Sequence, residues 1–228
     1  MMRESGFSCK ESVLPDGKSL WRGVGTVWVP GYGVLAVPRL GAEAGRYAFD
    51  VSGFVQHMKR VGGPNEVRFL TFSCYERIPL FENDRIKDLF VEHLARGRAE
   101  ARIRMIAWVV MPEHVHLLVL PLADSQSIPA FLNGLKRPFA QKVIGRWREL
   151  GAGVLDRLVD SGGHTRFWQQ GGGYDRVMRS TEDVQEKTKY IHENPVRRGL
   201  VDRAEDWRWS SAHWHAGRRD ASIPIDSY

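Results

Sequence analysis

Apolar and polar positions along this chain fall into a regular rhythm only from about residue 66. Upstream of it, Pro15, Pro30, Pro38, Pro64 and 11 of the 23 glycines break every apolar run. Residues 1–65 are therefore expected to form a poorly ordered extension. Its apolar piece, residues 26–37 (TVWVPGYGVLAV), can make a short hairpin around Pro30-Gly31. Met58 lies just ahead of the regular part, so the upstream stretch is either a genuine extension or the product of a start codon placed too early. Residues 67–74 (VRFLTFSC) then predict a strand, and Asn83 caps a helix whose Ile86, Leu89, Phe90 and Leu94 keep helical spacing. A second strand over residues 101–110 turns through Met111-Pro112-Glu113 into a third, which predicts an antiparallel hairpin. Ser127 caps a longer helix with Phe131, Leu132, Leu135, Phe139, Val143 and Trp147 facing inward, and Pro138 is expected to interrupt and kink it. A last strand is expected within residues 167–177. One more helix follows over residues 180–194 (STEDVQEKTKYIHEN), with Ser180 as N-cap, Glu182 and Asp183 in its first turn, and Pro195 closing it.

Within the third strand the run Glu113-His114-Val115-His116-Leu117-Leu118 carries the most chemistry. Side chains on a strand alternate, so His114, His116, Leu118 and Leu120 share one face while Val115, Leu117 and Val119 take the other. Two imidazoles held side by side are half of a metal site; by spacing alone they could equally be strand histidines satisfied by hydrogen bonds. The last helix supplies a possible other half. Its buried stripe is Val184, Thr188 and Ile191, and at 100° per residue Lys187, Tyr190 and Asn194 fall in a sector about 60° wide beside that stripe. Tyr190 and Asn194 are four apart and project together. Two imidazole nitrogens and one amide oxygen make a plausible ligand set, with a phenol beside it.

The pieces MPEHVHLLV, FWQ followed by YD, YIHENPVRRGLV and WRWSSA, in that order over roughly residues 67–225, resemble the HUH single-tyrosine transposases. The likeness is greatest to the domesticated branch associated with repetitive extragenic palindromes. It implies that His114 and His116 bind Mg²⁺ or Mn²⁺, that Asn194 is the third ligand and that Tyr190 is the nucleophile. It implies cleavage and joining of single-stranded or hairpin DNA through a 5′-phosphotyrosine. Together with the predicted element order it gives an α+β fold, a ferredoxin-like antiparallel sheet with helices on one face, spanning residues 66–228. Fold alone would not give this function.

Composition adds less. The net charge is +6; residues 1–66 hold 8 basic and 6 acidic side chains, leaving 25 and 21 for the rest, so basic character must be local. Lys136, Arg137, Lys142, Arg146 and Arg148 concentrate it on one predicted helix and are candidate phosphate contacts. Arg197, Arg198, Arg203, Trp207, Arg208 and Trp209 form a basic aromatic cluster that could stack on unpaired bases, or whose tryptophans could pack the C-terminal segment onto the core. Two cysteines without CxxC spacing, no apolar leader and no run near ~20 apolar residues point to a cytoplasmic protein that does not cross a membrane. It is expected to act as a monomer or homodimer, which the sequence does not decide. His213-Trp214-His215 repeats the H-x-H spelling without a strand around it and is read as a decoy. His192 points away from Tyr190, which suggests a structural or surface role, and Glu113 is either a turn acid or a partner for a histidine. Two other readings stay open. One is a palindrome-binding protein that has lost cleavage; the other is a metal hydrolase with a water nucleophile.

Overall fold

The computed structural model describes residues 65–171, 173–218 and 223–226, together with four strands within the first 36 residues. The chain divides into two compact units, Met1–Met58 and Lys59–Tyr228. In the first unit β1 (Lys10–Val13) pairs antiparallel with β2 (Ser19–Arg22). β3 (Thr26–Val29) pairs with β4 (Gly33–Ala36), the hairpin expected around Pro30-Gly31. The expectation of poor order for the remainder of residues 1–65 lies outside the described residues.

The second unit is built on β5 (Arg68–Ser73), β6 (Ile103–Val110), β7 (His114–Pro121) and β8 (Tyr174–Val177), in the order β6-β7-β5-β8 and antiparallel throughout. With α1 (Asp84–Glu100) between β5 and β6, and α2 (Ile128–Glu149) between β7 and β8, this is the ferredoxin-like arrangement. β7 lies between two partners and reads as a nearly continuous buried run, as an inner strand must. Leu70, Phe72, Val115 and Leu117 point to one face, where Phe72, Phe81, Phe90, Phe139, Phe167 and Trp168 pack ring against ring, edge to face at 5.1 Å for Phe90–Phe139 and stacked at 5.7 Å for Phe81–Phe139. α1 and α2 cover this face. On the other face, Thr71 stands opposite His116 and Ser73 opposite His114, and α3 (Thr181–Arg197) packs there.

The helices follow their caps. Asn83 accepts from Arg85 N at 2.9 Å, and Ser180 accepts from Asp183 N at 3.2 Å. The buried stripe of α1 is Lys87, Phe90, Val91, His93 and Leu94, rotated slightly from the expected one, so Ile86 and Leu89 are only half-buried. Lys87 is buried because its ammonium sits 3.9 Å from the centroid of the Trp209 ring and reaches the Asp84 carboxylate at 2.9 Å.

Pro195 does not close its helix, and Pro138 does not end its own. α2 runs through Pro138, which is exposed, as is Gly134, whose carbonyl loses its N–H partner and is left to water. α3 continues past Pro195 to Arg197 and ends instead on Gly199, at φ +64°. There Leu200 N donates to Pro195 O and Gly199 N to Val196 O, both at 2.9 Å, which is a Schellman closure. The stop signal is glycine.

The C-terminal segment covers the sheet edge left by β6. Val110 N donates to Trp209 O at 2.8 Å, Ser211 N to Trp108 O at 2.9 Å, and Asp226 N to Met105 O at 2.8 Å. An uncovered edge of this length and apolarity would invite pairing with another chain. At the far edge, Gly173 (φ +68°) lies so close to β5 that a Cβ would stand 2.3 Å from Thr71 O. No helix among the described residues is long and apolar enough to cross a membrane.

Candidate active site

β7 presents His114 and His116 on the α3 face, both buried, with ring centroids 4.6 Å apart. Their Nε2 atoms converge to 3.0 Å. Their outer nitrogens are tied elsewhere: His114 Nδ1 to Glu113 Oε1 at 3.1 Å, and His116 Nδ1 to Thr71 Oγ at 2.7 Å. Burial, then the neighbouring His114, Arg77 and Lys187, hold His116 well below the ordinary imidazole range, so it is neutral. Burial alone would raise the Glu113 carboxyl. The hydrogen bond from His114, with the Arg198 guanidinium, overcomes it and brings the group down to about 2. Glu113 therefore accepts the Nδ1 proton of His114, leaving the Nε2 lone pair facing inward. For His116 the choice lies with Thr71. If the threonine hydroxyl donates, His116 Nε2–H bridges to His114; if it accepts, both Nε2 lone pairs face the same point.

That point suits a cation. An octahedral ion with bonds of about 2.1 Å has adjacent ligands about 3.0 Å apart, which matches the Nε2 pair. Among the described residues no cluster of three or more His, Cys, Asp or Glu side chains is placed to hold a metal ion. A third side-chain ligand, were an ion held there, would have to be of another type. Asn194 lies one turn beyond Tyr190, and its amide nitrogen donates to Tyr190 O at 2.9 Å, which leaves the amide oxygen as the atom able to ligate.

α3 brings Tyr190 against the histidines, with its ring 5.4 Å from that of His116 and 6.1 Å from Phe69. Lys187 Nζ lies 4.9 Å and the Arg197 guanidinium 5.1 Å from the Tyr190 ring centroid. Lys187 from the expected sector, and Arg197 from the turn beyond it, thus set two positive charges around the Tyr190 ring.

The expected DNA contacts divide. Arg197 and Arg198 end α3 beside the site, where Arg197 pairs with Glu193 and Arg198 Nη1 bonds Glu113 Oε1 at 2.7 Å. Arg137, Lys142 and Arg146 are exposed on α2. Arg146 pairs with Glu149 at 2.8 Å, while Lys136 turns its ammonium to 5.3 Å from the Phe72 ring. α2 covers the sheet face opposite the histidines, so the structure does not gather these residues at the site. Trp207 and Trp209 are a correction: both are buried, with indole N–H groups committed to Val110 O at 3.0 Å and Asp88 Oδ1 at 2.8 Å. Their rings pack the C-terminal segment and are not offered to bases.

His213 and His215 lie on a short helix, α4 (Ala212–His215), away from the β7 pair. His215 bonds Ile106 O at 3.0 Å and its ring lies tilted 4.7 Å from that of His192, which bonds Ser211 Oγ at 2.8 Å. Burial, and then the charges of His215 and His213, push His192 down to about 3, a packed neutral ring. Sequence reasoning missed Thr71 and Arg77. The first is set by cross-strand register, and the second reaches Glu113 at 3.2 Å from a left-handed turn that nothing in the sequence announces.

No family model matches the chain. It is 30% identical over 121 residues to a REP-associated tyrosine transposase of Escherichia coli, covering 53% of this chain and 59% of that protein. A relative from Haemophilus influenzae, assigned to the same kind of transposase, is 24% identical over 137 residues, 57% of this chain and 74% of its own length. The chain therefore spans less than two thirds of the first of these relatives. The solved structure of a REP-associated tyrosine transposase bound to a REP hairpin matches with a TM-score of 0.57 at 20% identity, over 76% of this chain and 92% of that one. Likeness at that identity speaks to the fold. Over about half its length the chain is similar in sequence to REP-associated tyrosine transposases, and its fold matches that of the hairpin-bound one.

Proposed function

We propose that this chain cleaves and rejoins single-stranded DNA at hairpin or palindromic elements, in the cytoplasm, as a monomer or homodimer, with Tyr190 as nucleophile. The observation that carries the reading is the convergence of the two Nε2 atoms at 3.0 Å with the Tyr190 ring 5.4 Å from His116. The related transposases and the hairpin-bound structure supply the substrate class. In the step proposed, the Tyr190 oxygen bonds to a backbone phosphorus as the bond to the 3′-oxygen breaks. The phenol gives up its proton and the departing oxygen gains one, leaving a 5′-phosphotyrosine and a free 3′-hydroxyl. A phenol of pKa about 10 leaves more readily than an alkoxide. A second 3′-hydroxyl can therefore attack the phosphotyrosine and restore the phosphodiester without ATP.

His114, His116 and Asn194 would hold Mg²⁺ or Mn²⁺, which would act as a Lewis acid on the phosphate. The remaining work falls to the chain. Thr71 and Glu113 keep the imidazoles aimed inward. Lys187 and Arg197 place positive charge around the Tyr190 ring, where an anionic phosphate must approach.

The test is denaturing gel electrophoresis of end-labelled single-stranded DNA from the flanks of the gene, incubated with wild type and Tyr190→Phe. Wild type should shift label into a protein-sized band. Tyr190→Phe, which removes one oxygen, should keep DNA affinity and lose the band. A persisting band would name another tyrosine, with Tyr174 first in line. A wild type that binds the hairpin but never forms the band would make the chain a non-cleaving palindrome-binding protein.

A further inference from the structure

Two arginines meet on one oxygen at the rim of this site. Arg77 Nη2 lies 3.2 Å and Arg198 Nη1 2.7 Å from Glu113 Oε1, the atom that also faces His114. The carboxylate is buried, yet both guanidinium side chains are about half exposed, at 48% and 49%. Each therefore spends one donor on Glu113 and keeps others open to water.

Arg77 reaches this position through strained backbone. Glu76 and Arg77 adopt φ +49° and +55° in succession, a left-handed pair that non-glycine residues adopt only under strain. The turn is held by Cys74 N donating to Glu113 O, Glu76 N to Gln169 Oε1, and Ile78 N to Tyr75 O, at 2.9, 2.9 and 3.0 Å. Surrounding structure thus imposes a costly conformation whose outcome is a second guanidinium beside the first. Lys187 and Arg197 extend the positive charge toward Tyr190.

We propose that Arg77 and Arg198 form a phosphate seat, a two-guanidinium site for a backbone phosphate of the DNA strand near the one presented to Tyr190. The proposal rests on the DNA reading above. A guanidinium fork matches the non-bridging oxygens of a phosphodiester. Sharing one carboxylate oxygen holds the two forks side by side before DNA arrives, so less ordering remains to be done on binding. The competing view is that both arginines only tether Glu113.

Fluorescence anisotropy with a labelled oligonucleotide, a hairpin with a single-stranded arm from the flanks of the gene, separates the two. Binding by the full chain is followed across a series of NaCl concentrations. Arg77→Gln should lower the slope of log Kd against log salt by about 0.7 to 0.9, one phosphate contact, and weaken binding several-fold near physiological salt. Arg77→Lys should keep the slope. A scan replacing single phosphates by neutral methylphosphonate should find one position where wild type loses affinity and Arg77→Gln does not. If Arg77→Gln fails to fold, Arg198→Gln goes through the same scan and should lose sensitivity at that position. An unchanged slope, with every position as sensitive as in wild type, overturns the seat and leaves Arg77 as a tether. A wild type without salt-dependent DNA binding overturns the DNA reading and the seat together.

Discussion

Glu113 shows how much a single side chain can depend on its neighbours. It carries a carboxylate into a buried position because three donors, from His114, Arg77 and Arg198, converge on its Oε1. Its pKa is depressed to about 2 from an ordinary value of 4.5. The stabilisation from its ionised form is therefore complete above pH 4.5 and is lost as pH falls toward 2. Wild type should exceed Glu113→Gln in stability by about 2–3 kcal/mol near neutral pH, and urea melts should show that gap closing between pH 4.5 and 2. A gap independent of pH would mean that shape and not charge holds the residue. The histidines give a second residue-level prediction. His114→Ala or His116→Ala should abolish Mg²⁺- or Mn²⁺-dependent cleavage of single-stranded DNA. The double change His213→Ala and His215→Ala should keep the cleavage, at some loss of thermal stability because the bond to Ile106 O goes with it. The opposite pattern in the gel assay would move the active site to the C-terminus.

Elements were legible where one strand or one helix carried its own period. The alternation of His114, Val115, His116 and Leu117 announced a strand and the face of its imidazoles, and the wheel of residues 180–194 placed Lys187, Tyr190 and Asn194 together. What escaped depended on two elements at once. Thr71 bonds His116 only because β5 and β7 pair in a register that sets them opposite each other. Trp207 and Trp209 are buried only because the C-terminal segment lies along the edge of β6. Pro195 suggested a helix end, yet the next glycine at a C′ position decides it. Register is also the weak point of the site, and Gly173 guards it. A Cβ there would meet Thr71 O at 2.3 Å in a backbone at φ +68°. Gly173→Ala should therefore cost at least about 2 kcal/mol. It should also lower cleavage more than that loss of stability explains, since displacing Thr71 frees His116. Gly199→Ala, with open space around its Cβ and only the left-handed penalty of about 1 kcal/mol, is the control and should leave cleavage intact.

At the scale of the whole molecule, the question is which part of the chain carries the activity. Every element of the candidate site, from β5 to α3, lies in the unit Lys59–Tyr228. That unit has its own aromatic core on one sheet face, and its edge strand β6 is covered by its own C-terminal segment. Among the described residues, both features are built from this unit's own side chains and backbone. A chain begun at Met58 should thus fold, melt within a few degrees of the full chain and bind the hairpin oligonucleotide with the same affinity and salt slope. Differential scanning calorimetry and anisotropy on the two chains decide it. A shortened chain that melts markedly lower, or cannot be obtained soluble, would show that the upstream residues stabilise the transposase-like unit. A shortened chain that folds normally but binds DNA more weakly would assign them a part of the DNA surface.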